Sequence, residues 1–339
     1  MIHAGKVMIY GTLGPACEDV ETLKAMFREG MDGVRLNLSH TSLEEAANRI
    51  ETCRKAAREY GLRPELLIDM QGPELRIGDL DEPILLSAGE RIAMDVIPFP
   101  AALRQALTGG PDGQEVLLDD GKLLLRTEAS AGEGVFLRVI RGGSLESRKS
   151  AALPGRQFHA PAMTRADKAQ IRKAKEYGVT AVMQPFVRGR EDLIEVRNAL
   201  DAAGGRDIRL FAKIENLEGL RRLDELIPCC DEIVIARGDL GNAMELWELP
   251  AAQQRISAAC RKAGRAFMVV TQMLDSMTHR PVPTRAEVSD IFHAVLDGAA
   301  SVMVTGETAA GEYPALAIRY LAKTVRTAEE YVRAQQKIG

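Results

Sequence analysis

Residues 209–240 read RLFAKIENLEGLRRLDELIPCCDEIVIARGDL, and the reading of this stretch decides the fold. Two short apolar runs, 209–214 and 232–236, each precede a helical stretch. Near-continuous apolar strands alternating with amphipathic helices are the pattern of a parallel sheet buried on both faces. The same unit recurs outward in both directions. Strands are expected at 181–185, 266–271 and 301–305, and nearer the start at 6–12, 33–38 and 66–70. Asp19 caps a helix with Leu23, Met26 and Phe27 at helical spacing, which Gly30 stops, and 42–60 is a helix with Ala46, Ile50, Cys53 and Ala57 along one face. Eight strand–helix units in about 250 residues predict a (β/α)8 TIM barrel. A doubly wound open sheet is the alternative, with fewer units as a rule.

The units are interrupted between the third and the fourth. From 77 to 159 short runs (ILLS, RIAM, EVLLDDGKLLLRTEA, GVFLRVI) are separated by GDLDEP, SAGE, TGGPDG, SAGEG and RGG. That texture predicts a small antiparallel β-barrel domain inserted after strand three, with 1–76 and 160–339 forming the catalytic barrel. The 339 residues carry 46% hydrophobic and 27% charged side chains and a net charge of −4, ordinary globular values. The absence of a basic block argues against a nucleic-acid binder. No apolar run approaches the roughly 18 residues of a membrane helix, and the N-terminal stretch has no signal-peptide pattern. Five cysteines, an odd count without a CxxC, indicate free thiols in a reducing compartment, so a cytoplasmic protein is expected.

In such a barrel the chemistry gathers at the C-terminal ends of the strands. Those ends carry Arg35, Asn37, Ser39 and His40; Asp69, Met70, Gln71 and Glu74; Lys213 and Glu215; Arg237, Gly238 and Asp239; Thr271; and Thr305 with Glu307. Buried charges need partners, and a ring of salt bridges closing the barrel mouth is the plain structural explanation. The residue types point further. Glu215 and Asp239 are hard oxygen ligands suited to Mg²⁺ or Mn²⁺. Lys213 lies two residues before Glu215, hence on the same face of its strand. Arg35 offers a bidentate clamp for phosphate or carboxylate. Asn37, Ser39 and Asp69 supply oxygens for a second, weaker cation. Two cations, an arginine and a lysine around one anion suit phosphoryl transfer, where catalysis is mostly positioning and charge stabilisation. Neither a P-loop nor a protein-kinase loop is present.

The stretches GTLGPAC, GVRLNLSH, DMQGPELRIG, LLDDGKL, SRKSAALPG, AKIENLEG, IVIARGDLG, TQMLDSM, PTRAEVSDIFHAVLDGA and VTGETAAGEYP resemble the pyruvate kinase family over nearly the whole chain. The resemblance implies phosphate transfer from phosphoenolpyruvate to ADP, giving pyruvate and ATP, in a barrel with a mobile lid. It implies Mg²⁺ at Glu215 and Asp239, and K⁺ at Asn37, Ser39, Asp69 and the Met70 carbonyl, with Glu74 favouring K⁺ dependence. Arg35, Lys213, Gly238, Asp239 and Thr271 would contact the substrate. Lys213, Arg35, Thr271, Thr305 and Glu307 would be catalytic, the last two in the proton-delivery region. Pro15, Asn37, His40, Arg76 and Lys149 would contact the nucleotide.

The sequence departs from the family in places. DTKGP is DMQGP here, so Met70 replaces Thr and Gln71 replaces Lys; ASF is Gln184-Pro185-Phe186; and the serine of SGET is Thr305. No counterpart of the usual C-terminal regulatory domain follows the eighth helix, so sugar-phosphate activation is not expected, and a homo-oligomer would form through the barrel. Three alternatives stay open: a paralogue that phosphorylates another small acceptor with ATP, a Mg²⁺-dependent 2-oxo-acid lyase or aldolase, and a silent binding protein. Met273 and Met277 are expected in the core and Cys229-Cys230 in packing. Residues 165–175 are expected to form a solvated helix face. His3, His159, His279 and His293 fit no metal spacing, and Arg285 and Asp290 are expected to serve helix capping and interface contacts.

Overall fold

The structure, a computed structural model, describes residues 6–73, 75–119, 121–130, 134–156 and 161–336. Glu74, His3 and His159 lie outside the described residues. Eight parallel strands close into a barrel: β1 (Met8–Thr12), β2 (Gly33–Asn37), β3 (Glu65–Asp69), β4 (Ala181–Gln184), β5 (Arg209–Ile214), β6 (Glu232–Ala236), β7 (Ala266–Val270) and β8 (Ser301–Met303). Each pairs with the next, and β8 returns to β1 with Met8 opposite Ser301 and Tyr10 opposite Met303. The strands expected from sequence agree with these to within two residues at each end.

The pleat explains why these strands read as apolar throughout. Alternate residues Tyr10, Leu67, Met183, Phe211, Val234, Met268, Val270 and Met303 fill the barrel interior as one cluster. The residues between them, among them Ile9, Ile68, Leu210, Ile233 and Val302, are also buried, facing the helices. Local signals set the helix ends. The Asp19 side chain accepts the Thr22 N–H at 2.8 Å, and Gly30, at φ 118°, stops the helix Val20–Glu29 in a left-handed turn. Met273 and Met277 are fully buried. All five cysteines are free; burial pushes the Cys17 thiol up to about 11 and those of Cys53, Cys230 and Cys260 up to about 12. No helix among the described residues is long and apolar enough to cross a membrane.

A second compact unit comprises residues 73–160 and 241–246. Its antiparallel sheet runs in the order Ala151–Ala152, Glu115–Leu118, Leu123–Ser130, Gly134–Arg141, Arg91–Ala93, and a two-stranded ribbon pairs Ile84–Leu86 with Gly143–Leu145. Its own core includes Ile97, Val116, Leu118, Leu125, Leu137 and Val139. One helix, Ala101–Thr108, was not expected among the strands. Leu103 and Leu107, one turn apart, bury its inner face, while the flanking Pro100 and Gly109 look like turn residues in sequence.

The N-terminal ends of the barrel strands hold a second set of paired charges, of which Glu232 is buried and Arg209 and Glu65 are partly exposed. Arg209 donates to Glu65 Oε2 at 2.6 Å, Thr180 Oγ1 donates to the same oxygen at 2.6 Å, and the Ser301 hydroxyl donates to Glu232. Glu232 is 5% exposed. Burial raises its carboxyl to about 7, against the lowering effects of the Ser301 hydrogen bond and of Arg209.

Candidate active site

Four side chains of alternating charge cross the C-terminal mouth of the barrel. Asp69 ends β3 on the inward-facing line that Leu67 begins, and Lys213 continues the line of Phe211 on β5. Asp69 Oδ2 accepts from Arg35 Nε at 3.0 Å, from Arg35 Nη2 at 2.7 Å and from Lys213 Nζ at 3.2 Å. Lys213 Nζ lies 2.8 Å from Glu215 Oε1, and Glu215 Oε2 accepts the Phe186 N–H at 2.8 Å. Asp69 and Glu215 are 2% and 3% exposed, so their charges depend on these partners. Burial alone would raise the Asp69 carboxyl, but the Lys213 and Arg35 charges overcome it and hold it below the usual range. For Lys213, burial favours the neutral amine, and Asp69 with Glu215 more than reverses that, raising it above an ordinary lysine. The ammonium is therefore a fixed positive charge across the whole neutral range.

Backbone around the four is pinned from outside the mouth. Asp167, buried and third in the helix Arg165–Lys173, forms a capping box with Thr164. Its carboxylate also accepts the Gln71 N–H at 2.8 Å and the Gly72 N–H at 3.0 Å, fixing the turn that follows Asp69. Gly72 has φ +63°, and a Cβ there would come within 2.3 Å of Pro185 Cγ. Pro185 thus packs against bare backbone at the end of β4, where the family pattern has a serine hydroxyl. The helix expected to be a solvated face is solvated on its basic side chains and buried at Asp167.

Strands six to eight contribute a turn with a left-handed backbone. Thr271 has φ +73° and Gln272 φ +54°, rare for residues with a Cβ and rarest for a β-branched one. Arg237 donates to the Thr271 carbonyl from Nε at 3.1 Å and Nη2 at 2.7 Å, and from Nη1 to Asp290 Oδ2 at 2.6 Å. A Cβ at Gly238 would lie 2.9 Å from Thr271 Cγ2. Glu307, 2% exposed, accepts the Leu274 N–H at 3.0 Å through Oε1 and the Thr305 N–H at 2.7 Å through Oε2, tying the ends of β7 and β8 together. The Glu307 carboxylate is occupied by backbone, and Thr305 stays partly exposed beside it.

The remaining predicted residues divide between the two units. Asn37 Oδ1 accepts the Ser39 N–H at 3.1 Å, and Met70 is buried. Pro15 and His40 are exposed on the barrel unit. Arg76 and Lys149 belong to the inserted unit, where Arg76 Nη1 donates to the Arg148 carbonyl at 2.9 Å and Lys149 pairs with Asp119 at 3.2 Å. Among the described residues no cluster of three or more His, Cys, Asp or Glu could hold a metal ion on its own. Glu215 and Asp239, two carboxylates on successive strand ends, suit a hard divalent ion that completes its shell with water and substrate oxygens. Two positioning roles escaped the sequence reading, those of Asp167 and Arg237. The Thr164–Asp167 capping-box spacing was a readable signal for the first; Arg237 was placed at its strand end, but nothing local marked its bonds to Thr271.

Comparisons with known proteins agree with the barrel fold. The family described as "Pyruvate kinase, barrel domain" matches residues 4–318. Pyruvate kinase of Aeropyrum pernix is 36% identical, the match covering 94% of this chain and 70% of the relative. That of Methylorubrum extorquens is 39% identical, covering 94% and 67%. Human "Pyruvate kinase PKLR" is 36% identical, covering 99% of this chain and 62% of the relative.

Proposed function

The chain belongs to the pyruvate kinase family, and on that premise we propose that it transfers the phosphoryl group of phosphoenolpyruvate to ADP, yielding pyruvate and ATP. The observation that carries the reading is the pair of cations, Arg35 and Lys213, converging on the one buried Asp69 carboxylate at the barrel mouth. Arg35, whose Nε and Nη2 are held by Asp69, offers its remaining guanidinium N–H groups to phosphate oxygens. Lys213 stabilises the negative charge that develops as the P–O bond to the enolate breaks and the bond to the ADP oxygen forms. Because Asp69 and Glu215 hold the ammonium in place, no reorganisation is needed at the moment of transfer. The enolate then takes a proton at its methylene carbon, on the side of Thr271, with Thr305 nearby and Glu307 holding the backbone.

Glu215 and Asp239 would hold a divalent cation, and Asn37, Ser39, Asp69 and the Met70 carbonyl a monovalent one. Such ions, when bound, neutralise charge on phosphate oxygens. A second reading, ATP-dependent phosphorylation of another small acceptor, is favoured by one observation, the Pro185–Gly72 contact in place of a hydroxyl-bearing wall. The test is pyruvate release from phosphoenolpyruvate with Mg²⁺, with and without ADP, and with Na⁺ or K⁺. Release that requires ADP supports the reading. No release from folded protein that binds nucleotide turns it to the second.

A further inference from the structure

We infer that Asp290 is a positioning residue for the reaction, acting through Arg237 on the backbone of Thr271. It touches no reacting group. The inference rests on the reading above of Thr271 as the group beside the enolate.

The turn at Thr271 and Gln272 does not hold itself. Both residues sit at positive φ, where side chains with a Cβ are strained, and Thr is β-branched. Such a conformation persists only where the surroundings impose it. Arg237 imposes it with two hydrogen bonds to one carbonyl, and its Nη2 also lies 3.0 Å from Met273 Sδ. A guanidinium can swing unless its far side is fixed. Asp290 fixes that side at 2.6 Å, from the helix Arg285–Leu296. Arg237 is itself largely buried, with 12% of its side chain exposed, and it belongs to the same β6 end that presents Gly238 to Thr271 Cγ2.

The same helix holds the next part of the loop separately. Glu287 accepts the Ser276 N–H at 2.7 Å and the Ser276 hydroxyl at 2.6 Å. One helix thus grips residues 271–276 at two points, through Asp290–Arg237 at the reacting end and through Glu287 at the far end. Loss of Asp290 should release only the first. Arg35, Lys213 and Glu215, assigned to phosphate and the divalent ion, lie on other strands, while Asp239 shares the β6 end with Arg237 but not its bonds to the Thr271 carbonyl, so the effect belongs chiefly in kcat.

The experiment compares Asp290→Ala and Asp290→Glu with the wild type by amide hydrogen exchange and by steady-state turnover. Asp290→Ala is expected to speed exchange of the 272 and 273 amides at least fivefold while Ser276 stays within twofold. Its kcat is expected to fall about tenfold with the KM for phosphoenolpyruvate within threefold, and Asp290→Glu to recover part of both. Unchanged exchange at 272 and 273 overturns the inference. So does equal loosening at Ser276, which would make Asp290 a residue of general helix packing, and so does an unchanged kcat in an active enzyme. If the wild type shows no turnover, the functional reading fails on its own, and the exchange data alone decide whether Asp290 holds the turn.

Discussion

Replacing Glu232 by Gln should stabilise the barrel above neutral pH and leave it nearly unchanged in mild acid. Glu232 begins β6 at the N-terminal end of the barrel, 5% exposed, with the Ser301 hydroxyl as its hydrogen-bond donor. The charged groups facing it are Arg209, whose attraction lowers its carboxyl, and Glu65 and Asp231, whose repulsion adds to the raising effect of burial. The folded carboxyl titrates at about 7 against an ordinary 4.5. Between those values the unfolded chain has lost the proton and the folded chain keeps it, so stability falls as pH rises. At roughly 1.4 kcal/mol per unit the loss totals about 3 kcal/mol, absent below pH 4.5 and complete above pH 7. Glutamine stays neutral and keeps an acceptor for Ser301. Urea unfolding of both proteins from pH 4.5 to 8.5 reads the difference, by circular dichroism because the only tryptophan, Trp247, is 79% exposed and a poor reporter. The variant should be about 3 kcal/mol more stable at pH 8 and within about 1 kcal/mol at pH 4.5, on the same linkage. Parallel pH profiles would refute the argument.

Two other substitutions probe the mouth. Gly238→Ala places a methyl 2.9 Å from Thr271 Cγ2, so Thr271 must shift by several tenths of an ångström; kcat should fall by about tenfold with stability little altered, and an unchanged kcat would remove Thr271 from the reaction. Asp167→Ala leaves the Gln71 and Gly72 amides without their acceptor and should cost about 1–3 kcal/mol in urea unfolding, whereas wild-type stability would mean that the turn after β3 holds without it.

The barrel was legible because its strands are short, apolar on both faces and evenly spaced. The expected strands 209–214 and 232–236 coincide with β5 and β6. The helix Ala101–Thr108 was not legible, since two turns with only Leu103 and Leu107 buried carry little periodicity between proline and glycine. The charged residues at the strand ends could be named from sequence, but their pairing could not. That Lys213 reaches past β4 to Asp69 depends on strand order and pleat together. Arg237 could be placed at a strand end, yet its two bonds to the Thr271 carbonyl and its tie to Asp290 join residues 34 and 53 positions away. Glu232 reads as an ordinary polar start to an apolar run, because its burial at the barrel floor comes from residues distant in sequence, such as Ser301, and leaves no local mark.

The central claim is that a fixed positive charge on Lys213 stabilises phosphoryl transfer. It is tested most directly by kcat for pyruvate formation in Lys213→Met, with phosphoenolpyruvate binding measured alongside. Loss of a preorganised charge of this kind costs roughly 10²–10³ in rate. A fall of that size in a folded variant that still binds phosphoenolpyruvate is the predicted result. Turnover within about threefold of the wild type would contradict the account, since a buried charge aimed at the transition state carries orders of magnitude in rate.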